Sequence, residues 1–73
     1  MTIQEIVRSA EGGLVEVPRL EWFAMLSTIG DVTNELHATW RNDFIAGSEN
    51  APGAEFVTIE KSKAAKMCEL AGE

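Results

Sequence analysis

Residues 19–46 read RLEWFAMLSTIGDVTNELHATWRNDFIA, and how this stretch is wound determines the fold. With successive residues about 100° apart, Trp22, Met25, Leu26, Ile29, Val32, Leu36, Trp40 and Phe44 fall on one broad face. Asp31, Glu35 and Asn42 fall opposite. Pro18 suits the first turn of a helix and Gly47 its exit. The phase of the apolar stripe survives Gly30, so the spacing predicts one long amphipathic helix. Gly30-Asp31 also reads as a stop followed by an N-cap, which leaves a two-helix alternative. Leu26, Ile29 and Leu36 are the expected centre of the core.

Shorter elements flank the stretch. Thr2 and Glu5 have the spacing of a capping box and Gly12-Gly13 the position of a helix stop, which predicts a brief N-terminal helix. Ile3, Val7, Val15 and Val17 also fit a hairpin turning at Gly12-Gly13. Leu14 to Val17 is extended ahead of Pro18. Gly47-Ser48-Glu49-Asn50-Ala51-Pro52-Gly53 reads as a loop. Phe56-Val57-Thr58-Ile59 is a short strand, or else Thr58 caps the last helix with Val57 as its staple. That helix runs to about Ala71 with Gly72 beyond it, and Ala64, Met67, Leu70 and Ala71 form its apolar side. No internal repeat stands out. The expected fold is one mainly α domain over 1–73. It has one long amphipathic helix, short terminal helices and the option of a two-stranded ribbon from 14–17 and 56–59.

Seventy-three residues bury only about 60% of the surface the unfolded chain exposes, so such a domain is marginal alone and a homodimer is an option. Twelve acidic and six basic residues give a net charge of −6. That field repels phosphate, which argues against direct nucleic-acid or anionic-membrane binding and for a partner protein with a basic surface. The single cysteine, Cys68, excludes an internal disulfide and suits a reducing compartment. With neither a signal-peptide pattern nor an apolar run of about 20 residues, the cytoplasm is the expected location.

Little in the chain resembles catalytic machinery. His37, the one histidine, lies at the edge of the apolar stripe beside Thr33 and Trp40, and Asp31 and Asp43, each six residues away, point elsewhere. A catalytic or metal-binding histidine needs partners within reach. Cys68 has Lys63 and Lys66 nearby but otherwise reads as a small hydrophobe of the last helix. No phosphate-binding glycine loop occurs. The expectation is a binding protein without catalytic, cofactor or metal residues. Two sets of candidates could contact a partner: the acids Glu21, Asp31, Glu35 and Asp43, and an apolar edge of Leu20, Phe23 and Ile45 lying off the main stripe. Lys61, Lys63 and Lys66 cluster at the start of the last helix, against its dipole, and so call for a partner of their own or an earlier helix start.

Two resemblances follow from these features. The run Val15-Glu16-Val17-Pro18-Arg19-Leu20-Glu21, followed by helical sequence on both sides of Gly30-Asp31, resembles the ribbon-helix-helix regulators over about half the chain. It departs from them in a first helix about a turn short and a strand without basic or polar base-readers. The resemblance implies a transcriptional regulator or antitoxin. Small size, acidity, the missing catalytic set and a helical plan make the chain similar in type to small inhibitor proteins of phages and mobile elements, anti-CRISPR proteins among them. No motif carries that second resemblance. It implies an inhibitor of a host nucleic-acid-handling protein, such as a CRISPR effector, acting in the host cytoplasm. A small structural dimerisation protein is the remaining alternative.

Overall fold

The computed structural model describes residues 2–50 and 53–72. Six elements follow in order: α1 (Ile3–Ser9), β1 (Leu14–Pro18), α2 (Arg19–Ser27), α3 (Glu35–Glu49), β2 (Phe56–Glu60) and α4 (Lys61–Leu70). The chain is mainly α with one two-stranded antiparallel ribbon, as the sequence indicates. In α1, the Glu5 N–H donates to Thr2 Oγ1 at 3.2 Å, so Thr2 caps the helix. Ile3 and Val7, one turn apart, are its buried residues. The hairpin alternative for this segment is not adopted, because β1 pairs instead with β2, far along the chain.

In that ribbon Val15 lies opposite Ile59, Glu16 opposite Thr58 and Val17 opposite Val57. Alternation along each strand sends Val15, Val17 and Ile59 into the core, with Val57 partly buried against it. The optional ribbon of the sequence reading is therefore present, each strand one residue longer at its C-terminal end. Thr58 belongs to the strand, and Glu60 occupies the N-cap position of α4. At the far end of α4, Gly72 takes φ +78°, the left-handed conformation that closes a helix at little cost to glycine.

The single long helix is not what forms. α2 ends at Ser27 and α3 begins at Glu35. Two hydroxyls help end the first helix by bonding back to its carbonyls: Ser27 Oγ donates to Phe23 O at 3.0 Å and Thr28 Oγ1 to Met25 O at 2.7 Å. Asn34 starts the second, its Oδ1 accepting from the His37 N–H at 3.1 Å. The chain then folds back, and Trp22 of α2 meets Phe44 of α3 edge to face at 5.4 Å. The reversal breaks the phase of the stripe. Trp22, Met25, Leu26 and Ile29 are buried as expected; Val32, Trp40 and Phe44 are only partly buried, and Leu36 is exposed. Leu36 is therefore not part of the core centre, which is built around Trp22, Leu26, Val17 and Met67.

Gly47 does not end α3, and Gly47 to Glu49 are helical where a loop is expected. The cause is tertiary. Arg19 Nη1 donates to Ser48 O at 3.3 Å, supplying a last-turn carbonyl with a partner and placing positive charge at the helix C-terminus. Ala51 and Pro52 of the expected loop lie outside the described residues.

A local two-fold relation underlies the ribbon that the sequence does not announce. Each strand runs directly into a helix, and each is preceded by one. Arg19 N–H donates to Glu55 O, and Lys61 N–H to Gly13 O, both at 2.9 Å. One constant offset carries the first bond onto the second. The same offset carries Val15 onto Val57, Val17 onto Ile59, Trp22 onto Ala64 and Met25 onto Met67. Residue identity is kept only in places along this match, which is why no repeat is visible in the sequence.

Candidate protein-binding surface

The outer face of the ribbon follows from the same alternation that builds the core. Leu14, Glu16 and Pro18 of β1 share it with Phe56, Thr58 and Glu60 of β2. Leu14 is 61% exposed and Phe56 50%. Leu20, the second residue of α2, is 70% exposed. This face therefore combines large apolar side chains with the carboxylates of Glu16 and Glu60, and carries no basic residue of its own.

The neighbouring cations have partners within the chain. Arg19 Nε donates to Ala54 O at 2.7 Å, and Lys61 Nζ donates to Ala10 O. Lys63 pairs with Glu60 at 3.0 Å and lies 5.3 Å from the centre of the Trp40 ring. Lys66 pairs with Glu69 at 3.2 Å. The lysines that oppose the α4 dipole thus find their partners in α1, α3 and their own helix end.

The sequence-derived acids are distributed over several segments. Glu21 is exposed on α2, Asp31 lies in the non-helical connection, and Glu35 and Asp43 are exposed on α3. Asp31 is not on a helix, so these four do not form one helical face. Of the apolar edge, only Leu20 is exposed; Phe23 is half-buried, and Ile45 packs against the core. The ribbon face was missed at the sequence level. Its signal was present in the alternation of Leu14, Glu16 and Pro18, but the pairing that aligns it with Phe56, Thr58 and Glu60 was not.

His37 stacks obliquely with Trp40, ring centres 5.3 Å apart. Cys68 is buried, its Sγ 3.7 Å from Met25 Sδ. Among the described residues, no group of three His, Cys, Asp or Glu side chains is placed to hold a metal ion. No helix there is long and apolar enough to cross a membrane.

A hollow adjoins β2. It measures about 310 Å³ and lies between α3 and β2, lined by Trp22, Asp43, Phe44, Gly47, Ser48 and residues 57–59. Ser48 is 1% exposed and its Oγ has no hydrogen-bond partner among the described residues. No protein-family model matches the chain, and no curated protein or solved structure matches it significantly.

Proposed function

We propose that the chain is a stoichiometric protein-binding module that seats its ribbon face on a basic surface of its partner and so keeps nucleic acid from it. The observation that carries this reading is the composition of the face: exposed Leu14, Phe56 and Leu20 beside Glu16 and Glu60, with Arg19 and Lys61 bonded to backbone carbonyls and Lys63 paired to Glu60. Apolar anchors supply binding energy once desolvated. The surrounding carboxylates steer the encounter and select a cationic partner. An inhibitor of a nucleic-acid-handling host protein, such as a CRISPR effector, is the form this role takes when the partner's groove normally holds phosphate. Glu21, Asp31, Glu35 and Asp43 would extend the acidic field around the contact.

The experiment is capture of the partner on the immobilised chain, followed by elution with a polynucleotide and by a salt series. Glu16→Lys should reduce capture at least tenfold, and duplex or single-stranded polynucleotide should release the partner. Capture that survives both Glu16→Lys and polynucleotide would defeat the proposal.

One observation favours a second reading. A two-stranded ribbon whose strands pass directly into helices is the layout through which ribbon-helix-helix regulators enter the major groove. On that reading the chain binds a specific duplex at moderate salt, which a gel-shift selection from a random duplex pool would reveal. The glutamates facing outward from the strands argue for the protein partner.

A further inference from the structure

We infer that the hollow between α3 and β2 receives an extended, basic segment of the partner protein, which adds to the free edge of β2 as a third strand. The inference rests on the protein-binding role proposed above and assigns part of the contact to a defined groove.

The ladder identifies the open groups. Hydrogen-bonded and non-bonded pairs alternate across an antiparallel ribbon. The bonds Arg19 N–H to Glu55 O and Lys61 N–H to Gly13 O set the phase at its two ends. Val15–Ile59 and Val17–Val57 are then the bonded pairs. The N–H and C=O groups of Phe56 and Thr58 therefore point away from β1. The corresponding row on β1 contains Pro18, which has no N–H to give. An unpaired row of this kind is a template for another strand, and native edges are commonly blunted by proline. β1 is blunted and β2 is not.

The groove beside that edge is built to take a chain. Trp22, Phe44, Val57 and Ile59 supply apolar walls. A Cβ added to Gly47 would meet nothing within 4 Å, so a backbone can approach α3 there. The Ser48 hydroxyl lies buried behind the groove, without a partner among the described residues. Asp43 lines the same hollow, is exposed, and pairs with no cation among the described residues. Lysine or arginine in the incoming segment answers that charge. A second copy of the chain does not: edge-to-edge pairing would bring Asp43 near its own counterpart and set a charge of −6 against another −6.

The test uses the isotope-labelled chain and two blocked heptapeptides, one alternating lysine with valine and the other glutamate with valine. Titration with the lysine peptide should shift the amide resonances of Gly47, Ser48, Phe56 and Thr58. It should also slow hydrogen exchange of the Thr58 amide at least tenfold. The glutamate peptide should do neither. Gly47→Leu, which fills the groove from a helical position with open space around it, should abolish both effects, and Asp43→Lys should weaken them at least tenfold. Shifts spread over the other acids, or an unprotected Thr58 amide, would overturn strand addition. If Glu16→Lys abolishes partner capture while Gly47→Leu leaves it intact, the groove inference fails and the binding role stands. If capture is insensitive to both, the binding role itself fails.

Discussion

Ser48 and Leu36 lie near opposite ends of α3, and the effect of truncating each follows from its burial. Ser48 places a hydroxyl in the interior with no partner among the described residues. Ser48→Ala removes that group at little change in volume and is expected to raise stability by about 1 kcal/mol. A urea melt that shows a loss instead would mean that the hydroxyl is satisfied in solution. Leu36 stands in the predicted stripe but projects into solvent, so Leu36→Ala should change stability by no more than about 0.5 kcal/mol. Ile29, in the same stripe, is buried, and Ile29→Ala should cost about 2–5 kcal/mol. Equal costs for the two truncations would put the stripe back into a single helix.

Between α2 and α3 the decisive interactions are hydrogen bonds at the helix ends. Asn34 is the start signal for α3, and Asn34→Ala should destabilise the protein by about 1 kcal/mol through loss of the bond from the His37 N–H. Gly30 lies in the connection, where its φ is not positive and an added Cβ would have open space. Gly30→Ala should therefore be neutral or stabilising by up to about 1 kcal/mol, through a less flexible unfolded chain. Helical secondary chemical shifts running unbroken through residues 28–34 would contradict the role given to Asn34. The Arg41 side chain reinforces the reversal, donating from Nη1 to Gly30 O at 3.1 Å.

The whole molecule combines a small core with a surface on which most cations are already engaged. Its net charge of −6 acts through carboxylates that face solvent, and interactions of that kind weaken as salt shortens the screening length. The complex with a basic partner should therefore loosen at least tenfold between about 50 and 500 mM salt, chiefly through a slower on-rate. Asp31→Lys with Glu35→Lys, both exposed and far apart from the ribbon in sequence, should leave the fold intact, because lone surface charges contribute little. Surface plasmon resonance on the captured partner would separate their effect from that of Glu16→Lys. A complex indifferent to salt and to all three reversals would leave the apolar residues Leu14, Leu20 and Phe56 as the whole of the interface.

Local chemistry reaches the reader directly from the chain. Thr2 before Glu5, the alternation in Leu14 to Val17, the β-branched run at 56–59 and Gly72 after the last helix each specify their own element, because capping, pleating and left-handed closure depend on a few adjacent residues. The burial of Trp22, Met25 and Leu26 was legible for the same reason, since one short helix determines which side they share. The direction of the chain beyond Ile29 was not. Trp22 through Phe44 keep a helical phase in sequence whether or not the helix turns back, and the turn is favoured by contacts between Trp22 and Phe44 that exist only after it is made. The extension of α3 through Gly47 depends on Arg19, and the binding face depends on β1 finding β2 across some forty residues. Periodicity carries information over a few turns, whereas strand register and helix-end satisfaction are settled between distant segments, and here it is those that set both the ribbon face of Glu16 and Phe56 and the groove by Ser48.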